Sequence, residues 1–300
     1  MTLFQPPEIS TIPLEDILLH MRALGVNDVE NFPFPTAPPI AKLKQALELL
    51  INLGAIEPPS RRAVRDKGER QRIEVSGGRL TEMGKLLSKF PLTPRLSKIL
   101  VVGHQSQLLC HALTLVTALT EKSPFLTDSR RSGDTDAIKE EKEDDDAMEE
   151  EDTTSRQDIA KQLSYHPESD ALARLRALGA YSYNLSTSIS DLENEEEKEE
   201  RINSFCALHS LFRNNLDRML VLRTQLSLIC VRVFQLRLNS ATNVRQLGPP
   251  PSLTEEEGLK QVLFTAFCDC LVRKAPPLTR GSRRMKLTGN RTVRTLTFGL

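Results

Sequence analysis

Three hundred residues are enough for one large domain or two small ones. Apolar residues make up 39% of the chain, aromatics 5%, and Trp is absent. A core of Leu, Ile, Val and Ala suits helices better than a β-sandwich, and the low apolar share predicts that part of the chain is unfolded.

Charge is balanced at 40 cations against 40 anions, but it is unmixed. Asp134 to Asp152 is almost all acid, with Lys139 and Lys142 as its cations. Arg273 to Arg294 also carries Lys274, Arg280, Arg283, Arg284, Lys286 and Arg291 and no acid. A pI near 7.0 describes neither stretch. The five cysteines (Cys110, Cys206, Cys230, Cys268 and Cys270) are an odd number scattered through apolar runs, as expected of reduced thiols in a cytosolic or nuclear protein. Cys268 and Cys270 lack the spacing of a metal pair and read as buried small hydrophobes. No signal pattern opens the chain. The longest apolar stretch, Leu108 to Leu119, is too short for a bilayer, so the chain reads as soluble and intracellular.

In chain order, Pro13 to Leu24 reads as a first helix. Pro13 stands at its start, Leu14, Ile17, Leu18 and Met21 lie on one face, and Gly25 follows its end. A proline-rich connector, Asn31 to Pro39, precedes a second helix over Ile40 to Leu53, stopped at Gly54. Two short β-like pieces, Ala55 to Glu57 and Arg72 to Val75, flank a basic loop holding Arg61, Arg62, Arg65, Lys67 and Arg70. With Gly77 and Gly78 they suggest a hairpin leading to a helix capped by Thr81. Helix, helix and hairpin is the order of a winged helix, although many small α+β units share it.

Helices follow over Thr81 to Lys89, Pro94 to Val102 and Gln107 to Thr120. Residues 127–158 are predicted to be a disordered acidic insertion, because dense like charge cannot offset an ordering entropy of roughly 1–2 kcal/mol per residue. Helix resumes over Ser169 to Tyr183. An acidic patch, Glu193 to Glu200, then leads into one long helix from Arg201 to about Asn239. Its seam (Leu208, Phe212, Asn215, Met219, Leu222, Leu226, Ile229, Val233, Leu236) would serve a coiled coil. Leu211, Leu216, Leu220, Val221, Leu228 and Val231 lie off that seam, which favours the central strut of a bundle, buried on most sides. A last helix is expected over Glu255 to Val272, capped by Thr254.

The chemistry of a self-contained enzyme is missing. Gly84-Lys85 has neither the upstream Gly nor the following Ser/Thr of a phosphate loop, and there is no Asp-Glu-Ala-His run, no Gln-Arg-x-Gly-Arg finger, and no GxGxxG, HExxH or GxSxG. The five histidines (His20, His104, His111, His166, His209) have no metal-ligand spacing, and each reads as a surface or satisfied buried residue. No catalytic residue and no metal ligand is therefore assigned.

Four segments, in order, resemble the accessory region of DEAH-box RNA helicases. Gln5-Pro6-Pro7-Glu8-Ile9 with Met21-Arg22-Ala23-Leu24-Gly25 is similar to the family's exit from its second RecA domain. Phe32-Pro33-Phe34-Pro35-Thr36-Ala37-Pro38-Pro39 continues into Leu53-Gly54-Ala55. Leu80-Thr81-Glu82-Met83-Gly84 with Phe90-Pro91-Leu92-Thr93-Pro94-Arg95-Leu96-Ser97-Lys98 resembles the start of the ratchet domain. Asp170-Ala171-Leu172, Gly179-Ala180-Tyr181, Phe205-Cys206 and Leu222-Arg223-Thr224-Gln225-Leu226 complete the set. The Leu53-Gly54-Ala55 to Pro58-Pro59 join and the charged insertion look most like the member that acts in small ribosomal subunit assembly in the nucleolus.

This resemblance implies a mainly α chain, divided as follows: 1–12, remnant of the RecA exit; 13–80, winged helix; 81–126 and 159–274, two parts of a helical-bundle ratchet domain around the 127–158 insertion; and 275–300, a basic tail that starts or replaces an OB-fold. Both RecA domains would lie outside the sequence, which is expected to be a fragment. ATP and Mg belong to the parent family, and no cofactor is expected in this chain. The implied partners are single-stranded RNA, the helicase RecA core and pre-ribosomal proteins, with no membrane, and the implied location is the nucleus and nucleolus. RNA would be gripped by its phosphates. The candidates are Arg95 and Lys98, one turn apart, and Arg213 and Arg218 on the long helix. The basic loop and tail would add non-specific affinity. The acidic insertion is a solvated spacer or a nucleic-acid mimic that docks on basic proteins. A winged-helix DNA-binding regulator and a pure protein-interaction module remain as alternatives.

Overall fold

The structure is a computed structural model that describes residues 7–26, 28, 29, 32–58, 78–126, 166, 167, 169–187, 194–237, 244 and 246–270. The basic loop, the acidic insertion, the second β-like piece and the basic tail lie outside these residues. Among the described residues there are nine α-helices and no strand, only the isolated bridges Ile56–Leu80 and Phe125–Leu211.

Helices α1 (Glu15–Ala23), α2 (Ile40–Asn52) and α3 (Glu82–Leu87) form the first layer. Leu43, Ala46, Leu47 and Leu50 bury one face of α2, which is the 3.6-residue repeat of the sequence. Gly54 closes the helix with φ 73°, and Ala55 N–H returns to Leu50 O at 2.8 Å. The chain comes back antiparallel: Glu57 N–H donates to Arg79 O and Thr81 N–H to Ala55 O, each 3.0 Å. Thr81 caps α3 as expected, its Oγ1 accepting from Gly84 N–H at 3.0 Å. A Cβ on Gly84 would strike Ala55 O, so α3 can lie this close only with glycine there.

The second layer is built around α5 (Leu109–Thr120). Residues Ala112 through Ala118 are buried without interruption, so α5 needs neighbours on every side. These are α4 (Pro94–Gln105), α6 (Asp170–Thr187) and α8 (Arg213–Val233), while α9 (Leu253–Phe267) covers α4. Leu113 and Leu115 are fully buried, each contributing about 1.5–3 kcal/mol of transfer free energy. α4 and α5 cross closely enough that a Cβ on Gly103 would run into the Ala112 side chain.

The long helix is two helices. α7 (Glu195–Leu208) takes in the acidic patch, which was expected to precede the helix. Asn194 caps it by accepting from Glu196 N–H at 3.1 Å, and Glu195, Glu196 and Glu197 then sit favourably at the positive end of its dipole. The helix stops where Ser210 adopts φ 51° and Leu211 N–H bonds back to Cys206 O at 2.8 Å. The turn is held from outside: Leu126 N–H donates to Ser210 O at 2.9 Å and Phe212 N–H to Pro124 O at 2.7 Å. A second left-handed residue, Gln235 (φ 51°), follows α8, which ends well before Asn239. α8 does pack on α5 and α6 as a strut, but it is not buried on most sides, for Val221 is 59% and Leu228 48% exposed.

The last helix begins at Leu253, two residues before the position expected. Ser252, not Thr254, is its cap, in a capping box with Glu255: Glu255 Oε2 accepts from Ser252 N–H at 2.8 Å. Cys206 and Cys230 are buried, whereas Cys268 and Cys270, expected in the core, are exposed on a 3-10 turn beyond α9.

One buried cation joins these pieces. Arg223 on α8 donates Nε–H to Thr114 Oγ1 (3.1 Å) and its Nη2 to Val244 O (3.2 Å), Gln246 O (2.9 Å) and Cys110 Sγ (3.4 Å). It thereby pins the approach to α9 onto α5. Arg223→Ala is expected to cost about 3 kcal/mol in denaturant unfolding, because it strands buried carbonyls. Gly103→Ala is expected to lower stability by about 1–3 kcal/mol through overpacking against Ala112, even though alanine is the better helix former. A neutral or stabilising effect would mean that α4 and α5 can move apart.

Candidate nucleic-acid interface

Arg95 and Lys98 lie in the first turns of α4, facing the end of α9. Pro94 at the first helical position pre-sets the turn that presents them. Arg95 is engaged within the protein. Its two Nη atoms meet both oxygens of Asp269 at 2.6 Å, Nη1 also donates to Ala266 O at 2.8 Å, and the guanidinium carbon lies 5.5 Å from the Phe267 ring centroid. The hydrogen bonds from Arg95 hold the Asp269 carboxyl below its ordinary range and raise the guanidinium's own pKa. Lys98 is half-buried, and burial lowers its pKa from the usual lysine value.

Arg213 and Arg218 open α8. Arg213 donates to Asn203 Oδ1 at 3.0 Å and lies 3.6 Å from Asp217 Oδ2. Arg218 is exposed. The exposed positions of α8 are Asn214, Arg218, Val221, Thr224, Gln225, Leu228 and Arg232. They recur every three or four residues and form one stripe along the helix, roughly 27 Å long at 1.5 Å per residue. The seven exposed positions hold no acid, but Asp217, seven residues before Thr224, borders the same face with its side chain 46% exposed. Asp217 accepts from Tyr181 Oη at 2.6 Å. Burial, followed by that bond, pushes the Tyr181 hydroxyl pKa well up.

Arg232, Asn214, Thr224 and Gln225 were missed as candidates. The seven-residue spacing of Gln225 and Arg232 from Arg218 is present in the sequence, as is Asn214 one turn before it, but a seam argument cannot tell which side of α8 meets α5. The opposite side is rigidly placed. Asn215 Nδ2 donates to Ser123 O at 2.8 Å, and Leu216, Met219, Leu226 and Cys230 are buried.

Other charged groups serve the fold. Glu256 accepts from Arg176 Nη2 at 2.7 Å and lies 3.5 Å from His166 Nε2, tying the start of α9 to α6. Its pKa is lowered: burial, the largest influence, opposes this but is outweighed by Arg176 and His166. Lys42 on α2 donates to Ser10 O (2.7 Å) and Thr11 O (3.1 Å), tying α2 to the segment before α1.

Comparison with known proteins places this arrangement. The helicase associated domain (HA2), winged-helix family matches residues 46–92, and the ratchet-like helicase associated domain (HA2) family matches residues 93–174. A Schizosaccharomyces pombe protein named as an ATP-dependent RNA helicase is 31% identical over 274 residues, which is 88% of this chain and 20% of the relative. The chain belongs to the accessory region of the DEAH-box RNA helicases. Drosophila melanogaster kurz, also named as an ATP-dependent RNA helicase, is 29% identical over 276 residues, 91% of this chain and 20% of kurz. The human helicase DHX37 is 39% identical over 122 residues, 41% of this chain and 10% of the relative. The chain thus spans about a fifth or less of the length of these relatives.

In this DEAH-box accessory region the two family matches meet between Leu92 and Thr93, and α3 falls within the winged-helix match. The Arg95–Asp269 pair gives a pH test. Since the folded pKa of Asp269 is depressed, the pair stabilises fully above the unfolded value and is lost as pH falls through the folded one. The stability gap between wild type and Asp269→Asn is expected to be constant near neutrality and to close below about pH 4, as read from urea midpoints. A gap that persists in acid would show that the carboxylate's charge is not what holds α9 to α4.

Proposed function

We propose that this chain is the RNA-contacting accessory part of an ATP-dependent helicase, coupled to an ATPase core and working in rRNA processing during ribosome assembly. The observation that carries the RNA reading is the exposed stripe of α8, with Arg218 and Arg232 towards its ends, Asn214, Thr224 and Gln225 as hydrogen-bonding groups, and the bordering acid Asp217 engaged by Tyr181 and Arg213. Charge spread along one rigid edge, with no aromatic ring among its exposed positions from Asn214 to Arg232, suits a phosphate backbone better than stacked bases. The helicase names of the relatives support the coupling to an ATPase core, and the likeness of the Leu53-Gly54-Ala55 to Pro58-Pro59 join supports the ribosomal setting. Nuclear and nucleolar residence is part of the same proposal, as is the use of ATP and Mg by the core rather than by this chain.

Binding of the purified chain to fluorescent single-stranded RNA across a salt series tests this. The logarithmic salt slope is expected to reflect a few phosphates at about 0.7 each, with weaker binding to duplex DNA. Replacing Arg218 and Arg232 together by Glu is expected to weaken RNA binding at least about tenfold with unchanged helicity. Preference for duplex DNA would support a regulator instead, and absence of binding by a folded chain a protein-interaction module.

A further inference from the structure

Arg95 holds Asp269 with the geometry it would offer a phosphate. Both Nη atoms meet both carboxylate oxygens, the parallel fork that guanidinium forms with carboxylate and phosphate alike. The pair is not sealed: the Arg95 side chain is 20% and the Asp269 side chain 30% exposed. It borders an open cleft of about 520 Å³ that is also lined by Thr11, Lys42, Gln45 and Asn52. Glu15 and Glu48 share that cleft with Lys42, so it has no overall preference for anions; an uncovered guanidinium would give it a local one. Lys98 is placed one turn from Arg95, close enough to feel the charges of both Arg95 and Asp269.

Asp269 is attached differently from Arg95. Arg95 rises from a helix packed against α3, α5 and α9, whereas Asp269 sits on a three-residue 3-10 turn whose residues are all exposed. The carboxylate can leave by moving a short turn, while the guanidinium stays where α4 puts it. Ala266 O and the Phe267 ring would keep Arg95 oriented after Asp269 has gone.

We propose that Asp269 is an intramolecular stand-in for a phosphate of single-stranded RNA, occupying the Arg95 fork until the RNA backbone displaces it. The inference rests on the RNA-binding reading and deepens it by naming a phosphate site and the acid that guards it. Occupation by RNA would release the turn after α9 and so pass the bound state on to the chain beyond residue 270. No covalent step is involved, and the exchange replaces one anion by another on the same cation.

The test uses the full chain and a single-stranded oligouridylate, which offers phosphates without stable base pairing. Asp269→Asn keeps the shape and removes the competing charge. It is expected to tighten RNA binding by about fivefold, the weight of one partly exposed ion pair. Adding Arg95→Ala to that variant is expected to abolish the gain, and a circular dichroism melt of each variant keeps loss of fold apart from loss of contact. Equal or weaker RNA binding by a folded Asp269→Asn variant overturns the stand-in while leaving the α8 stripe untouched. A gain that survives Arg95→Ala also overturns it, because the extra affinity then comes from net charge alone. If neither wild type nor Asp269→Asn binds RNA, the proposed function fails and this inference fails with it.

Discussion

The structure depends on the burial of α5. Its sequence, Leu109 to Thr120, carries no charge apart from a titratable His111, and its middle seven residues are closed to solvent. Such a helix is unstable alone in water and becomes stable only when several neighbours remove its surface together. α4, α6 and α8 do this, and α9 backs α4. Gly103 brings α4 close, Arg174 on α6 reaches Ala118 O at 3.3 Å, and Arg223 on α8 donates to Thr114. Each neighbour is fixed at one or more points to the same helix, so their outward faces are fixed relative to one another as well.

The proposed RNA contact relies on that rigidity. A stripe of side chains can track a polyanion only if its spacing does not drift, and the buried side of α8 ensures this. Asn215 and Tyr181 hold the first turns, and Arg223 holds the middle. Tyr181 also engages Asp217, the acid that borders the stripe. The polar bonds beneath α8 therefore shape the charge above it. Glu256, with His166 and Arg176, does comparable work at the other end of the bundle, where α9 begins.

The acids at the two ends of the described bundle have opposite consequences. Glu195, Glu196 and Glu197 lie on the solvent side of α7 and favour its dipole. Asp269, by contrast, meets a cation that the sequence offered as a ligand-binding group. Arg95 is one turn from Lys98 on any helical reading, but its partner is separated from it by 174 positions in the chain. No local pattern announces such a pair.

What the sequence determined by itself is the local chemistry. The apolar period of α2, the glycine stop at Gly54, the Thr81 cap, Pro94 at the head of α4 and the apolar run of α5 are all legible, because each rests on interactions within about four residues. The four ordered segments were enough to mark the family for the same reason. Only the tertiary structure decided the rest. The break at Ser210 exists because residues 124–126 reach across and bond its backbone. The exposed side of α8 was set by which face α5 and α6 needed, and off-seam Val221 and Leu228 were left outside. Whether Arg95 faces solvent or Asp269 was likewise settled by how α9 lies on α4. Periodicity identifies a face but not its neighbour, and the neighbour determines which charges remain available to a ligand.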